Sequence, residues 1–238
     1  MNAFIVIPTY NEKDNIARLI DEILALNIEG LSLVVVDDNS PDGTYAIVEE
    51  IREKDSRAHL IRRMKRRGRG SAGIEGFKYA LDKGAEYIIE MDADFSHHPK
   101  YIPALLDAAK TNDVVIGSRF VKGGMDRDRG FYRQICTRLA GIYVRAALRV
   151  DIKDVSSGFR CFRREAVEKM DLDDMISTGP SIVLEKLYKA SLNGFKIKEI
   201  PITFSDRRQG QTKLDYITLL ETFVMVLRLR ELRKKGLA

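Results

Sequence analysis

Short apolar runs alternate with amphipathic stretches along the first half of the chain. The apolar runs are rich in valine and isoleucine and end in polar residues, as strands buried on both faces of a sheet do. Five runs are therefore predicted to be strands: AFIVIP, LSLVVVD, HLIR, EYIIEMD and DVVIGS. Between them, four stretches with apolar residues every three or four positions are predicted to be helices: EKDNIARLIDEILAL, PDGTYAIVEEIREK, GSAGIEGFKYALDKG and HPKYIPALLDAAK. This alternation predicts an α/β fold with a mainly parallel central sheet and helices on both faces.

The pattern changes after Arg119. A long apolar and basic helix is predicted over Phe131 to Val150, followed by a loop, DVSSGFRCF, a helix, SIVLEKLYKASLNG, and a strand, KIKEIPITF. The sequence contains no internal repeat and no linker rich in Pro, Gly or Ser. One domain with a decorated carboxyl half is therefore predicted.

Composition narrows the class of protein. A hydrophobic content of 45 % over 238 residues is enough for a well-buried core. The chain has two cysteines, and its start lacks the charged and then apolar segment of a secretion signal. A disulfide framework is therefore not expected, and a cytosolic location is expected. The longest apolar stretch near the end, 216–227, is shorter than the roughly 20 residues of a membrane span.

The net charge of +5 is informative only where basic residues concentrate. They do so in RRMKRRGR at 62–69 and in RLRELRKK at 228–235. Each run is either a solvated surface or a contact for a phosphate-rich partner. A nucleic-acid-binding module built on the first run is the non-enzymatic alternative. No aromatic residues are interleaved there to stack on bases, so a nucleic-acid partner is not expected.

Polar residues follow the predicted strands. PTYNE follows the first, DDNSPDG the second, DADFSHH the fourth and GSR the fifth. Ligands of parallel α/β sheets bind beyond the carboxyl ends of the strands, which lie at one edge. We therefore expect acids, small polar groups and Arg119 to converge at this edge in a candidate site.

Asp92 and Asp94 come just after the fourth predicted strand. Residues two apart in extended chain point the same way, so both carboxylates could hold one hard cation such as Mg²⁺ or Mn²⁺. A helix opening at Pro99 gives the stretch a second, compatible interpretation, in which one of residues 96–98 caps that helix. Zinc is disfavoured, because two adjacent histidines cannot easily reach one ion.

Asp37 and Asp38 end the second predicted strand, as paired acids do in receiver domains that accept a phosphoryl group. A receiver domain is much shorter than this chain and would leave the DADFSHH edge unexplained. An acid here could equally accept a hydrogen bond from a nucleotide base or ribose.

Two further loops carry candidate anion-binding groups. RGRGSAGIEG follows the third strand, whereas a dinucleotide-binding glycine fingerprint would follow the first, so a Rossmann dehydrogenase is disfavoured. The backbone amides of this loop and Arg69 could bind an anionic substrate. Alternatively, its glycines could allow the helix to pack closely on the sheet. DRRQGQTKL supplies Arg207, Arg208 and Lys213, which either grip phosphate or form a surface loop.

Taken together, seven motifs resemble family 2 glycosyltransferases, and among them the polyprenyl-phosphate mannose synthases. The motifs occur in order as IPTYNE, VVDDNSPDGT, MDADFSHHP, GSR, the FYR helix start, SSGFRCFRREAVEK and EIPITFSDRRQGQTKL. The resemblance implies the nucleotide-diphosphosugar transferase fold called GT-A. On this basis residues 1–213 are expected to form the transferase domain and 214–238 an amphipathic basic helix for membrane or partner attachment.

The resemblance also implies roles for single residues. The nucleotide is expected to be surrounded by Pro8, Tyr10, Glu12, Asp37 and Asp38. Asp92 and Asp94 are the expected metal pair. Ser96 stands at the position of a candidate third metal ligand, where relatives often carry Gln, and water could take the place of that ligand here. Phosphates of acceptor and donor are expected to be held by Arg119, Arg133, Thr137, Arg207 and Lys213. Asp94, Arg119 and Arg133 are the expected catalytic residues.

The implied reaction moves mannose from GDP-mannose to a polyprenyl phosphate and releases GDP, with Mg²⁺ or Mn²⁺ as cofactor. The nucleophile is a phosphate with a second pKa near about 6, so it is already anionic and no general base is required. Direct displacement would invert the anomeric centre. A transferase of the same fold that uses UDP-glucose is the alternative.

Two segments are expected to bring the chain to its lipid substrate. Phe131 to Val150 combines apolar residues with four arginines, as expected of a helix at a membrane interface, and a core helix is the alternative. ITLLETFVMVLRLRELRKK, near the carboxyl end, is suited to anionic lipid or to a membrane-bound partner protein. A peripheral location on the cytoplasmic face of a membrane is expected.

Overall fold

The computed structural model describes residues 1–65, 68–127, 130–205 and 216–234. Its strands are β1 (Ala3–Thr9), β2 (Leu31–Asp37), β3 (Ala58–Arg62), β4 (Tyr87–Glu90), β5 (Val114–Ser118), β6 (Met125–Asp126), β7 (Arg160–Arg163), β8 (Ile197–Pro201) and β9 (Thr203–Phe204). Its α-helices are α1 (Lys13–Leu24), α2 (Thr44–Lys54), α3 (Arg69–Asp82), α4 (Ile102–Ala109), α5 (Phe131–Leu148), α6 (Arg164–Lys169), α7 (Ile182–Leu192) and α8 (Tyr216–Lys234). Single 3₁₀ turns lie at Pro99–Tyr101 and Leu172–Asp174.

Seven strands form the central sheet in the order β3-β2-β1-β4-β7-β5-β8. All neighbours are parallel except β7, which runs antiparallel between β4 and β5. The predicted mainly parallel sheet and its five amino-terminal strands are confirmed. A separate pair of short parallel strands, β6 and β9, lies outside this sheet.

The prediction of a loop over DVSSGFRCF is wrong at its end, because Arg160–Arg163 forms β7. Three successive residues of this strand, Arg160, Cys161 and Phe162, are buried. A buried arginine inside a four-residue strand hides the apolar run by which the other strands are recognised. The predicted strand KIKEIPITF is likewise divided at Ile202, into β8 and β9.

Apolar side chains fill two layers, one on each face of the sheet. Alternate residues of β1 supply both layers, since Val6 contributes to one core and Ile5 and Ile7 to the other. Helices α3, α5, α6, α7 and α8 cover the first face, and α1, α2 and α4 cover the second. The predicted helices on both faces are therefore confirmed. Val226 and Leu229 place α8 against the first core, and the exposed Phe223 of α8 stacks on Tyr143 of α5 at 5.2 Å.

Glycines let α3 lie close to the sheet. A Cβ at Gly76 would overlap Cγ1 of Val6 and stand 3.0 Å from Cγ2 of Val36. At Gly76 the helix therefore packs closely on the sheet. This is one of the two interpretations that the RGRGSAGIEG cluster allowed. In the described part of the chain, no helix has the length and apolar character needed to cross a bilayer.

Gly76→Ala should destabilise the fold. Overpacking typically costs about 1–3 kcal/mol, and we expect it to outweigh the roughly 1 kcal/mol that alanine gains over glycine in helix propensity. Urea unfolding measures the difference. Gly141→Ala in α5 is the matched control, because its Cβ would meet nothing closer than 3.9 Å, and it should leave stability equal or higher. Equal or greater stability of Gly76→Ala would contradict the close approach.

Candidate active site

A cleft of about 200 Å³ lies at the carboxyl ends of β1, β2 and β4. Six predicted nucleotide or metal residues line it: Pro8, Tyr10, Glu12, Asp38, Asp92 and Asp94. Arg69, at the start of α3, lines it as well. The predicted convergence is therefore present for the residues that follow β1, β2 and β4, which are neighbours and run in the same direction. Arg119, which follows β5 and was expected in the same site, lines a different cavity.

Asp37 does not line this cleft and is fully buried. Its Oδ1 accepts a hydrogen bond from the Ser40 amide at 2.8 Å, and its Oδ2 accepts from the hydroxyls of Ser40 and Thr9 at 2.5 and 3.2 Å. The expectation that Asp37 faces the nucleotide is therefore corrected. Its carboxylate closes the turn after β2 and ties it to the end of β1.

Asp38 lines the cleft and also anchors the start of α3. Its Oδ2 accepts from the Gly68 amide at 2.7 Å, and its Oδ1 lies 3.1 Å from Nη1 of Arg63. Both side chains are buried, so this ion pair is largely shielded from water. Arg63 was not singled out from the sequence, because it stands within a basic run that looks like exposed surface.

Asp92 is held by Arg69. The Nε and Nη2 of Arg69 donate to Oδ1 of Asp92 at 2.9 and 2.6 Å, and its Nη1 lies 3.6 Å from Oε1 of Glu90. The ammonium of Lys186, from α7, pairs with Oε2 of Glu90. Lys186, Glu90, Arg69 and Asp92 thus form a line of alternating charges from α7 to the cleft, here called the charge chain.

The charges of this chain depend on one another. Burial would raise the pKa of Glu90, but Lys186 and Arg69 outweigh it and hold the pKa below the usual range. Burial lowers the pKa of Lys186 to about 8, and Glu90 opposes that shift. Burial also disfavours the Arg69 cation, but Asp92 and Glu90 more than offset this and raise its pKa. Lys186, Glu90 and Arg69 therefore stabilise one another's charged forms.

The stretch after Asp92 turns sharply. Phe95 adopts a left-handed conformation with φ of 61°, and the amide of Ser96 donates to Oδ1 of Asp94 at 3.0 Å. Asp94 and Ser96 are both buried. Ser96 thus supports the Asp94 carboxylate through its backbone, while its proposed coordination of a metal stays a prediction.

The two histidines have structural surroundings. His97 is buried, stacks on Phe159 at 5.1 Å and accepts a hydrogen bond at Nδ1 from the Asp92 amide at 3.2 Å. Burial lowers its pKa, in keeping with a neutral ring that accepts this bond. His98 accepts from the Lys100 amide at 3.2 Å and caps the 3₁₀ turn at Pro99. The predicted cap is therefore confirmed, at His98.

The acidic pair suits a hard divalent cation in chemical type. Asp92 and Asp94 offer carboxylate oxygens in one cleft, and Mg²⁺ is often bound by one or two carboxylates plus water and substrate phosphates. Within the ranges that the structure describes, no group of three His, Cys, Asp or Glu side chains is arranged to hold a metal. The donor set therefore fits a cation shared with a diphosphate better than a closed structural site.

Arg119 lies in a second cavity, of about 410 Å³, next to α5. Its Nε and Nη2 donate to Asp154 at 2.8 and 2.7 Å, and Nη2 also donates to the Ser156 hydroxyl at 2.7 Å. Burial would raise the pKa of Asp154, but Arg119 lowers it, so the two form a buried ion pair. Thr137 lines the same cavity.

Three predicted phosphate-binding side chains are not described. The backbone of Arg133 lies in α5, but its side chain, like the whole of Arg207 and Lys213, falls outside the described residues. The roles expected of all three stay predictions.

Glu90, Lys186 and Asp154 were missed by sequence reasoning. Glu90 carried a usable signal, because a glutamate within the buried apolar run EYIIEMD requires a cationic partner. Which cation that would be cannot be read from the sequence, since Lys186 lies 96 residues further along the chain.

Glu90→Gln should be strongly destabilising, because it leaves the Lys186 ammonium buried without its partner. Loss of one member of a buried ion pair costs about 3–5 kcal/mol. The double variant Glu90→Gln/Lys186→Met should recover part of that loss in urea unfolding. Glu165→Gln, at an exposed position in α6, is the control and should change little. A loss for Glu90→Gln no larger than for the control would contradict the charge chain.

Comparisons with known proteins identify the family of the chain. Glycosyl transferase family 2 matches residues 4–171. The chain is 37 % identical to the polyprenol monophosphomannose synthase of Mycolicibacterium smegmatis, over 93 % of this chain and 84 % of that protein. It is 34 % identical to the undecaprenyl-phosphate mannosyltransferase of Micrococcus luteus, over 96 % and 93 %. It is 40 % identical to the dolichol-phosphate mannosyltransferase of Pyrococcus furiosus, over 96 % of this chain but 64 % of that longer protein.

Solved structures show the same fold. Glucosyl-3-phosphoglycerate synthase from Mycobacterium tuberculosis, in complex with Mn²⁺, UDP and phosphoglyceric acid, matches with a TM-score of 0.71 and 22 % identity, over 96 % of this chain and 78 % of that one. The same enzyme in complex with Mg²⁺ and UDP matches with a TM-score of 0.70 and 20 % identity, over 97 % and 79 %. The expected GT-A fold is confirmed by these matches.

Proposed function

The chain belongs to glycosyl transferase family 2, and we propose that this glycosyltransferase moves mannose from GDP-mannose to a polyprenyl phosphate and releases GDP. The observation that carries the proposal is an acidic cleft, together with a second cavity lined by arginines, in a chain whose relatives are named for mannosyl transfer to polyprenyl-type phosphates. The donor nucleotide and the stereochemistry come from the sequence resemblance.

The cleft is assigned to the donor. Pro8, Tyr10, Glu12 and Asp38 would surround the nucleoside, as lining residues of one pocket. Asp92 and Asp94 would hold Mg²⁺ or Mn²⁺, which supplies positive charge to the diphosphate leaving group when bound. Arg69 keeps the Asp92 carboxylate fixed before the donor arrives, so little reorganisation is needed at that group.

The arginine-lined cavity is assigned to the acceptor. A phosphate acceptor is anionic at neutral pH, so the protein has to place two anions side by side rather than remove a proton. Arg119, held in a fixed orientation by Asp154, and the Thr137 hydroxyl would contact the acceptor phosphate, with Arg133, Arg207 and Lys213 as further proposed contacts. Attack from the face opposite the diphosphate would invert the anomeric centre.

An exposed apolar stripe on α5 supports a peripheral membrane location. Tyr132, Ile135, Leu139 and Ile142 are exposed at spacings of three and four residues, which places them on one face of the helix. Phe223 and Leu227 are exposed on the neighbouring α8. We propose that this face contacts the cytoplasmic side of a membrane or a membrane-bound partner. Residues 214, 215 and 235–238 of the proposed attachment segment 214–238 lie outside the described ranges.

Asp94→Ala should lower GDP release from GDP-mannose by at least about 100-fold, the usual loss when one charge-stabilising group of a transition state is removed. Turnover is measured with saturating Mn²⁺ or Mg²⁺ and a polyprenyl phosphate. Asp107→Ala is the matched control, because Asp107 lies exposed on α4, away from the cleft. Near-normal turnover of Asp94→Ala would remove that residue from the metal site.

GDP-mannose should protect the protein against thermal unfolding more strongly than UDP-glucose when Mn²⁺ is present, since only a ligand that binds the folded state stabilises it. Melting temperatures across a panel of nucleotide sugars at equal concentration measure this. Stronger protection by UDP-glucose would instead favour the alternative donor.

A further inference from the structure

The cavity beside α5 contains more positive charge than the proposed acceptor contacts use. Arg138, Arg145 and Lys153 line it together with Arg119 and Thr137. Thr137, Gly141 and Arg145 are four residues apart on α5 and so share the face that forms the cavity wall. Gly141 keeps that wall open, because it has no side chain between the helix and Lys153.

Arg119 is paired with Asp154, whereas the other cations that line the cavity make no ion pair among the described residues. Arg119 is neutralised by Asp154, as described above. Within the described ranges, Arg138, Arg145 and Lys153 have no carboxylate within 4.0 Å. None of the described residues that line the cavity is acidic. Like charges that face one space repel each other, so an anion in that space would be bound favourably.

The position of Lys153 is fixed by the fold. The amides of Lys153 and Asp154 donate to the two carboxylate oxygens of Glu199, on β8, at 2.8 and 2.9 Å. Glu199 therefore holds the 153–154 backbone against the sheet, with Lys153 beside the cavity and Asp154 bound to Arg119. The backbone that carries Lys153 is therefore held in place, while its side chain is exposed beside the cavity.

Apolar residues extend from the cavity wall. Ile142 and Arg145 also line an adjoining shallow depression, together with Ala146, Arg149, Val150 and Asp151. The exposed stripe that includes Leu139 continues from Ile142 toward the start of α5. The chemistry of the wall suits a phosphate, which accepts the forked donors of arginine, and the chemistry of its surroundings suits hydrocarbon attached to that phosphate.

We propose that Arg138, Arg145 and Lys153 form a phosphate-binding subsite for the head group of a bilayer phospholipid, in the same cavity as the proposed contacts of the acceptor phosphate but through different side chains. A lipid bound there would hold the acceptor end of the protein at the bilayer surface. The inference goes beyond the proposed reaction. It concerns lipid binding in the absence of a nucleotide sugar. The lipid subsite can therefore be disproved while the Asp94-dependent transfer reaction is confirmed, and the transfer reaction can be disproved while the subsite is confirmed.

The test compares Arg145→Gln/Lys153→Gln with wild type in two binding assays on the full chain. Flotation uses phosphatidylcholine vesicles with and without phosphatidylglycerol, and ³¹P NMR titration uses inorganic phosphate. Binding to the phosphatidylglycerol vesicles should fall at least about tenfold in the double variant, as expected when charge-assisted hydrogen bonds are lost. Binding to pure phosphatidylcholine should be weak for both proteins.

Two controls separate the subsite from diffuse attraction. Lys169→Gln/Lys198→Gln removes the same charge from exposed positions elsewhere, and Lys54→Gln removes an exposed cation from the end of α2, outside both the cavity and the adjoining depression. Both should stay within about threefold of wild type on the vesicles. Losses in the cavity variant that equal those of the controls in both assays would overturn the subsite. A selective loss only with inorganic phosphate would retain the subsite but assign it to free phosphate rather than to lipid.

Discussion

The donor cleft depends on a line of charges that begins outside it. Lys186 on α7 neutralises Glu90 at the end of β4, Glu90 faces Arg69, and Arg69 fixes Asp92. Burying a charge without a partner costs far more free energy than burying an ion pair. Each member of the charge chain therefore lowers the cost of burying the next. The acidic pair at the edge of the sheet is therefore positioned by contacts that extend through the core to α7. A substitution of Lys186 on α7, away from the cleft, is therefore expected to alter the position of Asp92 in the cleft.

Glycines make room for these charges. A Cβ at Gly158 would stand 2.6 Å from Nη2 of Arg69, and one at Gly73 would stand 3.2 Å from Oε1 of Glu90. Gly158 belongs to the SSGFRCF motif and Gly73 to the RGRGSAGIEG cluster, two segments far apart in sequence. At these two positions the absence of a side chain leaves space for the guanidinium of Arg69 and the carboxylate of Glu90. In a packed interior, even small atomic overlaps are destabilising.

The elements whose local pattern matches their surroundings were predictable. Five strands and four helices of the first half follow apolar periodicity, and the cleft follows from where those strands end. The pairing of Glu90 with Lys186 and of Arg119 with Asp154 was not predictable, because a sequence shows charges but not the distances between them. Asp37 illustrates the same limit: its neighbour Asp38 reaches the cleft, whereas Asp37 turns inward to Ser40. Strand β7 was hidden because the residue that secures it, Arg160, binds backbone carbonyls of Val183 and Val155 from a fully buried position.

The place of β7 in the sheet has a consequence for the order of assembly during synthesis. Strands β1 to β4 can pair with one another as soon as they have left the ribosome, because the first four strands of the sheet order involve only early residues. Strand β5 has no such neighbour: its two partners, β7 and β8, are both made later. The apolar strand Val114–Ser118 must therefore wait, unpaired, for at least the segment up to Arg163. Non-local pairing of this kind is slow and exposes strand edges, so the second half of the sheet is the part of the nascent chain for which protection from aggregation matters most.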